Sequence, residues 1–158
     1  AFVGSIGGIA SLHVVYRSRP QLCVMLEKSF SLDKLNMELS TTASAFYFAE
    51  DDGHVIGYLK INVGKAQTEF KDELALEIER IYVLQQYHGK KVGQLLYEKA
   101  NEVAGQMGKK YVWLGVWGEN KRALQFYRKN GFVEFDKHIF KLGDDEQTDI
   151  MMKLELTH

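Results

Sequence analysis

Tyr87-His88-Gly89-Lys90-Lys91-Val92-Gly93-Gln94-Leu95-Leu96 decides the fold. Before it, residues 75–84 (ALEIERIYVL) read as a strand. After it, Val92, Leu95, Leu96, Ala100, Val103, Ala104 and Met107 recur at helical spacing, with Gly108 suited to end that helix. Residues 111–116 (YVWLGV) then read as a short apolar strand of the kind buried on both faces. Residues 75–116 are therefore expected to form a βαβ unit with two parallel strands. Its strand-to-helix loop ends at a helix N-terminus, where unsatisfied N–H groups and a positive dipole end suit a phosphate. Gly89 and Gly93 let the backbone approach a ligand closely, and Lys90 and Lys91 add charge. Taken alone, the stretch fits a plain loop with a solvated lysine pair equally well. Neither the GxxxxGK[ST] nor the GxGxxG spacing is met, which excludes a Walker loop and a dinucleotide fingerprint.

Working outward, a second helix is expected over about 120–130, with Asn120 near its start and Gly131 past its end. Strands over about 132–140 and 148–156 flank a turn at Gly143-Asp144-Asp145. Upstream, strands at 45–50 and 55–63 flank Asp51-Asp52-Gly53-His54, a turn signal, and so form a hairpin. Residues 64–73 read as a polar loop. Residues 21–40 read as two short helical pieces, the second capped by Ser31, and residues 1–15 as a strand followed by a loop. The class is α/β: a mixed, mostly antiparallel twisted sheet with a central βαβ unit and flanking helices, in a single domain over residues 1–158.

Composition narrows the function. The chain has 158 residues, 46% hydrophobic and 26% charged, the profile of a soluble globular protein. Its net charge of −1 provides no global positive field, so neither a nucleic acid nor a membrane partner is expected. Gly4, Gly7, Gly8 and His13 interrupt the apolar start too often for a membrane span, and no basic segment precedes it. Cys23 is the only cysteine, which suits a reducing, cytoplasmic location. No metal site is expected.

A second stretch, residues 117–132 (WGENKRALQFYRKNGF), carries Asn120, Ala123, Phe126, Tyr127, Gly131 and Phe132. Together the two stretches resemble the GNAT superfamily of N-acetyltransferases. The later helix of that family reads roughly N-x-x-A-x-x-[F/Y]-Y-x-x-x-G-F, matched at those six positions. Its coenzyme A loop reads [Q/R]-x-x-G-x-[G/A]; here Gly93 holds the final position, His88 stands for Gln or Arg, and Lys91 stands where Gly is usual. The resemblance covers about residues 45–156. The stretch from His138 to Asp149, with residues 76–83 and 113–117, is most similar to the Pai-type bacterial spermidine and spermine acetyltransferases.

The resemblance implies the GNAT fold, acetyl-CoA as cosubstrate, a small primary amine as acceptor, and a monomer or homodimer. It implies coenzyme contacts from Ile81, Tyr82, Val83, His88, Gly89, Lys90, Lys91, Val92, Gly93, Gln94, Asn120, Phe126, Tyr127 and Lys129. It also implies a splayed strand at about 77–84 whose backbone, at Val83 or a neighbour, polarises the thioester. An alkylammonium with a pKa near 10.4 lies roughly 3.4 units from neutrality at pH 7, a cost of about 4.6 kcal/mol. A base must take that proton, and Glu77 and Glu79 are the candidates, sharing a strand face by parity. Tyr127 stands where the family's general acid lies. For a polyamine's remaining charges the chain offers Asp144, Asp145, Glu146 and Asp149 at the last hairpin, and Tyr47 and Tyr58 at the first.

Overall fold

The computed structural model describes residues 2–6, 9–15, 43–52 and 54–157. In chain order its elements are β1 (Phe2–Ile6), β2 (Ile9–Val15), β3 (Ser44–Asp51), β4 (His54–Val63), β5 (Ala75–Val83), α1 (Val92–Gln106), β6 (Tyr111–Trp117), α2 (Lys121–Lys129), β7 (Val133–Leu142) and β8 (Asp145–Glu155). The described strands make one eight-stranded sheet in the order β1-β2-β3-β4-β5-β6-β8-β7. Every neighbouring pair is antiparallel except β5 and β6, the parallel pair expected of the βαβ unit. The helical expectation for 21–40, with Cys23 and Ser31, lies outside the described residues. At the start of the chain the expected strand and loop are instead two paired strands. Gly4 sits beside a register shift in β1, the irregularity a glycine within a strand commonly marks.

α1 forms because its apolar residues recur on one side. Val92, Leu95, Leu96, Tyr97, Ala100, Val103 and Ala104 are all buried, and the helix packs on β3, β4 and β5. α2 is capped at its start by Asn120, whose side chain accepts from Ala123 N at 3.1 Å. At its end Gly131 takes φ +97°, and Phe132 N–H donates to Tyr127 O at 3.0 Å. On the face of β6 turned away from α1 lies the segment between β4 and β5, which read as a polar loop. Gln67 is buried there and accepts from Trp113 Nε1 at 2.7 Å, Phe70 stacks edge-on against Trp113, and Tyr111 donates to Asp72 at 2.7 Å.

Two irregularities of β5 create the site. Lys60 pairs with Arg80 but Ile61 pairs with Ile78, so Glu79 is an extra residue, a β-bulge. β5 and β6 pair only at Ala75–Tyr111, Leu76–Val112 and Glu77–Trp113; beyond those positions the parallel strands separate.

Candidate active site

The separation of β5 from β6 turns part of the β5 backbone toward a gap. Leu84 N–H donates to Ile56 O at 2.9 Å, which fixes the alternation of the ladder with β4. By that alternation the N–H and C=O groups of Ile81 and Val83 point away from β4, into the gap. His88 Nε2 lies 2.9 Å from Val83 O, consistent with that direction and with a ring whose Nε2 carries the proton.

On the helix side of the gap lies a cleft of about 760 Å³. It is lined by Ile81 and Val83 of β5, by His88, Gly89, Lys91, Val92, Gly93 and Gln94 at the start of α1, and by Asn120, Phe126, Tyr127 and Lys129 of α2. Two of the expected coenzyme contacts lie elsewhere: Tyr82 faces the other side of the sheet, and Lys90 sits over the Tyr87 ring at 5.6 Å. Tyr87, Arg122, Ala123 and Asn130 also line the cleft and were not among the coenzyme contacts expected from the sequence. Arg122 could have been, as the second residue of the Lys121-Arg122 pair that follows the Asn120 cap. Lys91, Arg122 and Lys129 bring positive charge, and no Asp or Glu is among the lining residues. Gln94 donates to Asn130 Oδ1 at 2.9 Å, and Asn130 donates to Phe126 O at 2.8 Å, which ties the two helical walls together.

The loop follows the path that a glycine at 91 would give. Lys91 caps α1 with φ +62°, in the left-handed region, and Gly89 has φ +79°. A lysine held there costs about 1–2 kcal/mol relative to ordinary backbone. The cleft thus combines an anionic-ligand environment, N–H groups at a helix start and an open strand edge, a donor set that fits a polyphosphate bearing an amide-rich arm.

A second cavity, of about 400 Å³, opens through the gap. It shares Ile81, Asn120, Ala123 and Tyr127 with the cleft, and adds Tyr58, Glu79, Arg80, Tyr82 and the end of β6 from Leu114 to Trp117. Tyr127 therefore stands where the two spaces meet. Its ring packs against Phe126 at 5.1 Å and Phe132 at 5.4 Å, and burial pushes its phenol up to about 12.

The two candidate bases are joined but inequivalent. Asn62, 1% exposed, donates from Nδ2 to Glu79 Oε2 at 2.9 Å and to Glu77 Oε2 at 3.3 Å, while Ser44 Oγ donates to its Oδ1 at 2.7 Å. Glu77 is buried and also accepts from Thr68 N at 2.8 Å and Thr68 Oγ1 at 2.6 Å. It does not line the cavity. Desolvation holds its pKa above the usual value despite those donors. Glu79 lines the cavity, and the bulge directs it with Arg80 to the side of Lys60, which it meets at 2.5 Å. Desolvation pushes its pKa up, but hydrogen bonds from Lys60 and Asn62 and the charges of Lys60 and Arg80 outweigh it and hold the pKa below the usual value. Asp144, Asp145, Glu146 and Asp149 do not line either space. Among the described residues no group of three His, Cys, Asp or Glu side chains is arranged to hold a metal, and no helix is long and apolar enough to cross a membrane.

The sequence model of the Acetyltransferase (GNAT) family matches residues 12–132. An uncharacterised N-acetyltransferase of the pepI 3′ region of Lactobacillus delbrueckii subsp. lactis is 43% identical over 139 residues, covering 88% of this chain and 80% of that protein. The uncharacterised N-acetyltransferase Rv2669 of Mycobacterium tuberculosis is 33% identical over 118 residues, covering 75% and 71%. Among solved structures, the ribosomal-protein-S18-alanine N-acetyltransferase of Escherichia coli aligns with TM-score 0.76 at 16% identity, covering 93% of this chain and 95% of that one. The spermidine/spermine N-acetyltransferase SpeG of Vibrio cholerae, in complex with manganese ions, aligns with TM-score 0.73 at 20% identity, covering 91% and 92%. With the family model matching most of its length and the sheet splayed beside the cleft, the chain belongs to the GNAT family of acetyltransferases.

Proposed function

We propose that this enzyme transfers the acetyl group of acetyl-CoA to a primary amine by direct attack in a ternary complex, and that the amine is a polyamine such as spermidine. The observation that carries the reaction is the junction of the two spaces: backbone groups of Ile81 and Val83 turned into the gap, with the Tyr127 phenol between cleft and cavity. In this reading Lys91, Arg122, Lys129 and the N–H groups at the start of α1 hold the coenzyme phosphates. An N–H of Ile81 or Val83 polarises the thioester carbonyl. Glu79 takes the ammonium proton, through water, and the neutral nitrogen attacks the carbonyl carbon. The carbon–sulfur bond then breaks, Tyr127 protonates the departing thiolate, and the excess proton on the acetylated nitrogen returns to the Tyr127 phenolate. Support for Glu79 over Glu77 comes from its place on the cavity wall; support for Tyr127 comes from a phenol that burial keeps protonated. The polyamine acceptor is supported by the aromatic lining of the cavity (Tyr58, Tyr82, Trp117) and by the resemblance to polyamine acetyltransferases.

Thiol release measured with spermidine, spermine and n-butylamine at two salt concentrations tests both levels. Spermidine should be the better substrate, and its kcat/KM should fall as salt screens the attraction. Turnover of n-butylamine equal to that of spermidine would remove the polyamine. No thiol release with any amine, and no coenzyme A binding by calorimetry, would remove the reaction.

A further inference from the structure

Trp117 is placed unlike the other tryptophan. Trp113, four residues earlier on the same face of β6, is 1% exposed and packed against Phe70. Trp117 ends the strand and is 49% exposed. It lines the cavity at the gap but not the coenzyme cleft. Its indole is not loose: Nε1 donates to Gln147 Oε1 at 2.6 Å, across the ladder on β8. Directly opposite Trp117 in that ladder, outside the residues that line the cavity itself, is Asp149. Side chains in such a pair have Cβ atoms about 4.5–5.5 Å apart and share a face. The next residue outward, His138 of β7, pairs with Asp149 in the sheet but turns its Nδ1 to Glu69 at 2.6 Å. Among the described residues no cation is bonded to the Asp149 carboxylate. On the other lip of the gap Tyr82 is 43% exposed and also lines the cavity.

A large aromatic face and a carboxylate side by side are what an ammonium group requires once it leaves water. We infer that Trp117, held by Gln147 and faced by Asp149, is the subsite for a second cationic centre of the acceptor, one alkyl spacer away from the amine that is acetylated. This rests on the acetyltransferase reading of the gap, and it moves the acceptor's distal charge from the end of the hairpin to its base. Asp145 stands four residues before Asp149 along β8, about 13 Å away at the rise of a strand. The subsite selects diamines and polyamines over monoamines through ground-state binding, so its loss appears in KM rather than kcat.

The chain has two tryptophans, and only Trp117 is accessible, so quenching by acrylamide reports this subsite without any need for turnover. Saturating spermidine should at least halve the quenching constant of the full chain, n-butylamine should leave it unchanged, and Trp117→Phe should abolish the effect. In steady-state assays Asp149→Asn should raise the spermidine KM about 10-fold and the n-butylamine KM less than about 2-fold. Gln147→Leu, which frees the ring without removing it, should give a smaller rise in the same direction. Equal effects of Asp149→Asn on both amines, or turnover of spermidine with Trp117 still fully quenchable, overturns the subsite. Protection of Trp117 by spermidine with no acetylation supports the subsite and sinks the reaction proposed above, which keeps the two failures distinct.

Discussion

Tyr127 carries the heaviest chemical demand of any single side chain here. A thiolate leaving a thioester needs a proton donor that is itself still protonated, and a phenol raised to about 12 by burial meets that condition throughout the physiological range. Tyr127→Phe should lower kcat by about 10- to 1000-fold with little change in the KM for acetyl-CoA, since the lost proton matters mainly in the transition state. An unchanged kcat, with chemistry shown to limit turnover, would return Tyr127 to the aromatic cluster it shares with Phe126 and Phe132. The same shift has a stability consequence with a definite sign. The folded pKa lies above the ordinary phenol value of 10.0, so the contribution is complete below about pH 10 and is lost as pH rises toward 12. Thermal unfolding between pH 10 and 12 should therefore fall more steeply for the native chain than for Tyr127→Phe. Sequence found Tyr127 through the motif on its helix, but the meeting of two cavities at its ring is a property of the splayed strands and is not written in any local pattern. Lys91 illustrates the converse. The family loop pattern has glycine at that position, and the left-handed φ found there is the one a glycine would take freely, held here by a lysine at a cost in strain.

At the level of elements, the segment between β4 and β5 was read as loop because its residues are polar, yet several of those polar groups are spent on fixed bonds. Gln67 serves Trp113, Asp72 serves Tyr111 and the Leu74 N–H, and Thr68 serves Glu77 through both its N–H and its hydroxyl. Tertiary pairing of this kind has no periodicity to detect. The strands, α1 and α2 were legible because their apolar periods and caps are local. The bulge at Glu79 was not, so two glutamates equivalent by parity acquired different surroundings. Thr68→Val separates their roles. Removing a donor to the Glu77 carboxylate should raise its pKa further and cost about 1–2 kcal/mol of stability by denaturant melt. If Glu79 is the base, the acidic limb of the kcat/KM profile stays in place; a limb that moves to higher pH assigns the base to Glu77.

For the molecule as a whole, β5 and β6 join the two parts of the sheet through three paired positions, while β6 and β8 are paired at seven. A coenzyme that lies along the open backbone of Ile81 and Val83 and contacts both helices should add to the folded state what this short ladder lacks. At 100 times its Kd, coenzyme A should stabilise the fold by about 2.7 kcal/mol, raising Tm by roughly 5–10 °C for a domain of this size. A thermal shift below about 1 °C under saturation would show that the cleft is not where coenzyme binds. In mechanical terms the same feature is a seam. A load drawing β4 away from β8 is carried across most of the sheet by long ladders, but at the centre by a few rungs and the covering of α1. The sheet should yield there first, as a sheet of paper tears from an existing notch, and a bound coenzyme would act as a stitch across the cut.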